Sequence, residues 1–182
     1  DLRKNRSTLN NIILTSTNAA EALSQVIPEV KNIGFMADSI RVPTNTESLI
    51  ILNATFQSRA NKDGAIAPLS RDRLNEIYKK AATDPEHLVV YSEEQNVSTD
   101  LIGMDAAIVI EGQFNHTRTA FIDVDLSNVP DLPEAFLKTL SQSTMRIPVV
   151  HAKIFGWYDN EYGSYTNRLG DLTAYIHQSL FR

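Results

Sequence analysis

One junction constrains the fold more than any other feature of the sequence. An apolar run, Ile147 to Phe155, passes into Trp157-Tyr158-Asp159-Asn160-Glu161-Tyr162-Gly163, which leads into a helical pattern ending near Leu180. The seven-residue run mixes aromatic, acidic, amide and glycine residues, so it suits neither a strand nor an amphipathic helix. It reads as a strand-to-helix junction, where polar groups can face a ligand without disturbing a core. The apolar run predicts a last strand. Leu169, Leu172, Ile176 and Leu180, at helical spacing, predict a final helix over 160–180.

The rest of the sequence supplies elements for that junction to sit on. Residues 1–11 are polar and basic and read as a loop. Ile12-Ile13-Leu14 is a short apolar run; Thr15-Ser16-Thr17-Asn18 then offers capping side chains to a helix beginning Ala19-Ala20-Glu21-Ala22-Leu23. Residues 32–44 and 49–56 read as strands, and 57–69 as a loop. Ser70 caps a helix carrying Leu74, Ile77 and Tyr78 on one face. Further strands are predicted at 88–91, 106–110 and 119–124, with a short helix over 134–140 after Pro130 and Pro133. Strands with interspersed helices predict an α+β fold around a mostly antiparallel or mixed sheet, with residues 1–182 as one domain.

Composition narrows the function. A hydrophobic fraction of 42% supports a substantial core. A formal charge of -5 offers no basic excess for a nucleic acid partner. No apolar run approaches the roughly 20 residues that span a bilayer, and Asp1-Leu2-Arg3-Lys4 lacks the core of a signal peptide, so the expected compartment is cytoplasmic. With no cysteine there is neither a disulfide nor a thiolate metal site. His87, His116, His151 and His177 show no metal-like spacing, and no metal is expected. Glycines occur singly, which argues against a dinucleotide-binding loop within these residues. Asn5, Asn53, Asn96 and Asn115 each begin an Asn-x-Ser/Thr triplet, which chance explains in a chain rich in Asn and Thr.

Three positions could carry ligand chemistry. Hydroxyls such as that of Thr17, just ahead of a helix, cap orphan backbone donors and also border a pocket suited to phosphate. Arg41, in Ile40-Arg41-Val42-Pro43-Thr44, either faces solvent or offers its planar fork to an anion; Pro43 places it near a strand end. The amide of Asn160 can donate and accept toward a ligand carboxamide, or serve as the N-cap of the last helix, with Asp159 sharing that work.

These segments, taken in order, resemble the phosphorylating glyceraldehyde-3-phosphate dehydrogenases. Asp1-Leu2-Arg3-Lys4-Asn5-Arg6, Thr15 to Ala20, Ile40 to Thr44, Tyr91 to Glu94 with Val97 to Asp100, and Trp157 to Gly163 are collinear with family segments, the last nearly identical to a family signature. The resemblance implies a C-terminal catalytic-domain fragment with helices packed on one face of the sheet. It implies that Thr17, Asn18, Arg41 and Lys4 contact substrate or inorganic phosphate, that Asn160 holds the nicotinamide of NAD or NADP, and that Arg6 supports a subunit contact. The complete enzyme would be a homotetramer of glycolysis or gluconeogenesis. It would oxidise a phosphorylated aldehyde through a cysteine thiolate, with a histidine as base. The cysteine, the histidine and the dinucleotide-binding domain are expected upstream of residue 1, so no catalytic residue is assigned within this chain and the piece alone is expected to be inactive. A non-catalytic phosphate-binding or oligomerisation module, and a sister dehydrogenase for an aldehyde such as erythrose 4-phosphate, are the alternatives. Departures include Lys4 for an arginine, Asn18 for a glycine, Ser164-Tyr165 for Tyr-Ser, and a longer stretch at 111–146 expected to carry an added hairpin or helix.

Overall fold

The computed structural model describes residues 2–3, 5–60, 63 and 66–181. Two compact units are present, residues 1–45 and 46–182, and each is taken by itself.

The first unit is built on β1 (Ile13–Thr15), α1 (Ala19–Val26), α2 (Val30–Ile33) and β2 (Ser39–Arg41). β1 and β2 pair antiparallel through Ile13–Arg41, Leu14–Ile40 and Thr15–Ser39. Ile13 and Val30 are its buried apolar side chains. The strand expected over 32–44 shrinks to Ser39–Arg41. Val30–Ile33 instead closes a helical turn that ends on Gly34 at φ 68°, a left-handed conformation that glycine adopts without a Cβ clash.

The second unit contains β3 (Ser48–Gln57), β4 (Arg59–Ala60), β5 (Ile66–Ala67), α3 (Arg71–Ala81), β6 (Val89–Ser92), β7 (Ile108–Glu111), β8 (His116–Asp125), α4 (Glu134–Leu137), β9 (Thr144–Tyr158) and α5 (Ser164–Leu180). The stretch expected to be loop at 57–69 contributes the small β4–β5 pair. β9 is the central strand. Along one edge it pairs antiparallel with β3, from Ser48–Tyr158 to Gln57–Val149. Along the other it pairs antiparallel with β7 near its C-terminal end and with β8 further back; β6 joins β7 in parallel. The result is the mixed, mostly antiparallel sheet of an α+β fold.

β7 and β8 are one edge interrupted by a bulge. From Ile110–Gly156 to His116–Lys153 the chain advances six residues while β9 advances three. The extra residues bow out, and buried amides tie them down. Asn75 donates to the Gly112 carbonyl at 3.1 Å, Asn115 donates to Asn75 Oδ1 at 3.0 Å, and Asn115 Oδ1 accepts from the Phe155 N–H at 3.1 Å. Both amides are buried and paired, as buried polar groups must be. A side chain so enclosed is closed to glycosylation in the folded protein, although Asn115 begins an Asn-x-Thr triplet.

The segment expected to carry an added hairpin or helix holds both. β8 returns through a short 3-10 turn at 126–128 and α4 into the start of β9. Residues 144–147 pair with β8 alone, beyond the Ser58 N–H to Pro148 carbonyl bond that follows β3, and form a two-stranded arm.

α3 starts where Ser70 Oγ accepts from the Arg73 N–H at 3.1 Å, as the capping pattern predicts. It lays Leu74 on Ile110, Ala152 and Ile154, with Tyr78, Val89 and Tyr91 around them. Burying a leucine there contributes about 2 kcal/mol. Strand alternation sends the neighbouring residues to the opposite face, where Val109 meets Leu101, Ala106 and Trp157.

Candidate functional site

The turn after β9 is organised by one side chain. Asp159 is 2% exposed. Its Oδ1 accepts from the N–H groups of Glu161 at 2.8 Å and Tyr162 at 2.9 Å, and its Oδ2 accepts from the N–H of Gly103 at 2.8 Å. Burial works to raise its pKa, but the backbone donors of Tyr162, Gly103, Glu161 and Gly163 outweigh it and hold the carboxyl below its ordinary value of 3.8. Ser164 closes the turn: its hydroxyl donates to the Asp159 carbonyl at 2.6 Å and accepts from the Asp159 N–H at 2.8 Å.

These bonds correct the expected helix boundary. α5 begins at Ser164, with Gly163 as N-cap, because Asp159 captures the amides of Glu161 and Tyr162 in a turn. Asn160 is therefore not the N-cap. It stands exposed at the crest; its carbonyl accepts from Thr166 Oγ1 at 3.2 Å, and its side-chain amide makes no hydrogen bond within the chain. Gly163 is fixed by space: a Cβ there would lie 2.5 Å from the Met104 carbonyl oxygen. Ser164, in the place of the family's tyrosine, is buried and committed to Asp159, and Tyr165 is exposed.

Trp157 packs into the sheet's second core cluster. It lies against Leu101, Ala106 and Val109, and its Nε1–H donates to Glu111 Oε2 at 3.2 Å. Asn96 donates to the same oxygen at 2.9 Å. Glu111 is buried; its role is not legible in the local pattern, since an acid ending an apolar strand reads as solvent-facing.

In the first unit, Thr17 is half-buried and its Oγ1 accepts from the Ala19 N–H at 3.2 Å, which leaves the hydroxyl proton free to donate. Asn18 occupies the N-cap position of α1 with no side-chain cap bond. Arg41 is exposed at the end of β2, and its guanidinium makes neither a hydrogen bond nor an ion pair. The β1–β2 register sets Arg41 opposite Ile13, at the rung farthest from Thr17. Arg6 is exposed. The Lys4 expectation lies outside the described residues. The fold thus gathers Thr17, Asn18 and Arg41 into the first unit and places Asn160 in the second.

A cavity of about 590 Å³ lies elsewhere, beside α3. Its lining includes Arg71, Lys79, Tyr91, Glu93 and Gln113, and none of the candidate ligand residues Thr17, Asn18, Arg41 and Asn160. Lys79 pairs with Glu93 there and sits over the Tyr91 ring. Among the described residues no cluster of acids and histidines could hold a metal ion. No helix among them is long and apolar enough to cross a membrane.

A mixed sheet whose longest strand leads into a carboxylate-locked turn defines an α+β domain, and the chain carries no thiol nucleophile of its own. Comparison with known proteins names its kind. Residues 1–129 match the family model described as glyceraldehyde 3-phosphate dehydrogenase, C-terminal domain. The chain is 31% identical over 182 residues to a glyceraldehyde-3-phosphate dehydrogenase of Streptomyces coelicolor, covering 99% of this chain and 42% of that protein. It is 33% identical over 177 residues to the enzyme of Sclerotinia sclerotiorum, covering 97% of this chain and 40% of that protein. Glyceraldehyde-3-phosphate dehydrogenase 1 of Bacillus subtilis is likewise 33% identical, with 97% and 41% covered. The chain belongs to the glyceraldehyde 3-phosphate dehydrogenase family, as its C-terminal domain, and spans about two fifths of the length of these relatives.

Proposed function

We propose that residues 1–182 form the catalytic-domain part of a phosphorylating aldehyde dehydrogenase that converts glyceraldehyde 3-phosphate, phosphate and NAD to 1,3-bisphosphoglycerate, NADH and a proton. The observation that carries this reading is a set of polar groups left without protein partners. The Asn160 amide stands free on a turn that the chain itself holds rigid. The Arg41 guanidinium is likewise unpaired, and the Thr17 hydroxyl keeps its proton available.

The residues divide the work by chemistry. The Asn160 amide fits a nicotinamide carboxamide, donating to its oxygen and accepting from its nitrogen, which fixes the ring face presented. Bound there, the nicotinamide of NAD or NADP supplies hydride acceptance. Arg41 provides a forked donor pair for a substrate phosphate, and Thr17 a hydroxyl donor near the positive end of α1. Asn18, at the N-cap with its side chain uncommitted, is placed to add a further donor. Lys4 belongs to the same set as a point charge. Such groups lower a barrier by orientation and electrostatics but cannot replace a nucleophile. The chain has no cysteine, so by itself it should support no aldehyde-dependent reduction of NAD.

Apolar surface supports association within a larger assembly. Leu49, Ile50, Ile51, Leu52 and Phe56 of β3 are 38–49% exposed, and Leu169, Leu172, Tyr175 and Ile176 of α5 are 48–69% exposed. Surfaces of this kind mark interfaces, in keeping with a cytoplasmic homotetramer.

Steady-state kinetics of the complete protein test the reading. Asn160→Ala should raise the KM for NAD at least several-fold, with the fold intact by circular dichroism. An unchanged KM for NAD would remove Asn160 from the cofactor site.

A further inference from the structure

Glu47 is the one carboxyl group set against the Asp159 turn that the scheme above leaves unused. It immediately precedes β3, whose first rung pairs Ser48 with Tyr158, so Glu47 runs alongside Asp159 just past the end of the ladder. Its backbone is left-handed, at φ 83°, a conformation that costs a non-glycine residue on the order of 1 kcal/mol and persists only where surroundings impose it. That twist turns the side chain into the protein: Oε2 is buried and has no hydrogen-bond partner. The charged groups acting on it are Asp159, at the head of the turn, and Glu161, within it. Both are acidic, and no cation pairs with Glu47 among the described residues.

A partly buried carboxylate beside two others is unfavourable, and a carboxylic acid in the same place is less so. Burial first, then the charges of Asp159 and Glu161, raise the Glu47 pKa from 4.5 to about 7. Asp159 cannot relieve the conflict by taking up the proton itself, because its oxygens are engaged by backbone donors that require its charge.

We propose that Glu47 is a positioning residue for the 159–163 turn: uncharged, it packs against the turn and keeps Asn160 presented, and charged, it repels Asp159 and Glu161 and loosens that presentation. This rests on the assignment of Asn160 to the cofactor. It adds a device that the family signature does not contain, since Glu47 lies more than a hundred residues before Trp157. It makes cofactor affinity fall as pH rises through neutrality.

The test uses the complete protein and its Glu47→Gln variant, which keeps the shape and stays neutral. Two readings are taken at pH 6 and pH 8.5: hydrogen-exchange protection of the segment 157–165, corrected for the intrinsic rate, and the Kd for NADH by fluorescence. In the unaltered protein, protection should fall and the Kd should rise about fivefold at the higher pH, the low end of couplings between distinct sites. Both responses should flatten in Glu47→Gln. An exchange response that survives Glu47→Gln overturns the proposal, as does a segment whose protection ignores pH in the unaltered protein. If Glu47→Gln flattens the exchange response but neither it nor Asn160→Ala moves the Kd, the turn device stands and the cofactor assignment of Asn160 falls.

Discussion

The two regions that hold the proposed ligand contacts are built on opposite plans. The turn after β9 is held internally: Asp159 takes the N–H groups of Glu161, Tyr162 and Gly103, Ser164 bonds both backbone groups of Asp159, and the Asn160 amide is left over. The Thr17–Asn18 segment and Arg41 do the reverse. The bond from the Ala19 N–H to Thr17 Oγ1 is the one hydrogen bond their side chains make among the described residues, and their side-chain donors are left unpaired. The first plan suits a ligand that must be met in one orientation, as a ring face must. The second suits an anion, which accepts donors from many directions and can complete the order itself.

The contrast predicts that damage to the first region appears as lost stability and damage to the second as lost affinity. The largest effect belongs to Asp159→Ala. It strands the partly buried N–H groups of Glu161, Tyr162 and Gly103, at about 1 kcal/mol each, and should lower the unfolding free energy of the complete protein by about 3 kcal/mol. Urea denaturation measures this. A loss below about 1 kcal/mol would mean that water replaces the carboxylate and that the turn is not internally held. The same carboxylate gives a pH signature. Its folded pKa lies below the ordinary 3.8, so its contribution is complete above that value and is lost as pH falls through the lower folded one. Asp159→Asn should remove that acid-side slope.

Arg41→Ala comes next and should leave stability unchanged, since the guanidinium makes no hydrogen bond or ion pair among the described residues. In the complete enzyme it should weaken the phosphorylated aldehyde by about 1–3 kcal/mol, read as kcat/KM. Unchanged constants would show that Arg41 faces only solvent. Thr17→Ala has a smaller reach: it removes one hydroxyl donor and one local bond to the Ala19 N–H, and should cost about 1 kcal/mol in affinity for inorganic phosphate. If stability suffered more than affinity, Thr17 would be a cap and nothing else.

How much of this could be read from the sequence divides along the same line. Elements governed by local pattern were legible: Ser70 as the cap of α3, the apolar strands β3 and β9, and the junction at Trp157. Features that depend on distant partners were not. Asp159 resembled a helix cap because an acid beside an amide before a helix reads that way; the Gly103 N–H that makes it a turn anchor lies 56 residues away in the chain. The strand expected over 32–44 rested on the β-branched residues Ile40, Val42 and Thr44, and local closure at Gly34 overrode it upstream. The bulge between β7 and β8 depends on Asn75, one turn into a helix whose other face supplies the core, so nothing in the local pattern separates it from a solvated asparagine. Among the site residues, unpaired donors were easier to anticipate than paired ones. A free arginine near a strand end is visible in sequence, whereas a buried acid is known only by what surrounds it.

Glu47 gives the smallest effect and sharpens the comparison most, because it is the one place where the rigid region holds a group it cannot satisfy. A carboxyl whose folded pKa lies above its unfolded value destabilises the fold as pH rises from 4.5 towards 7, and the penalty is constant beyond that. Glu47→Gln should therefore match the unaltered protein near pH 4.5 and exceed it at pH 8. The full shift overstates the gain, because the side chain is only partly buried and solvent screens the repulsion; after that discount about 1 kcal/mol remains. Urea midpoints at the two pH values measure it. Equal stability at pH 8 would mean that the carboxylate turns out into water when charged, and the turn would then be as indifferent to its neighbour as the Arg41 strand is to its own.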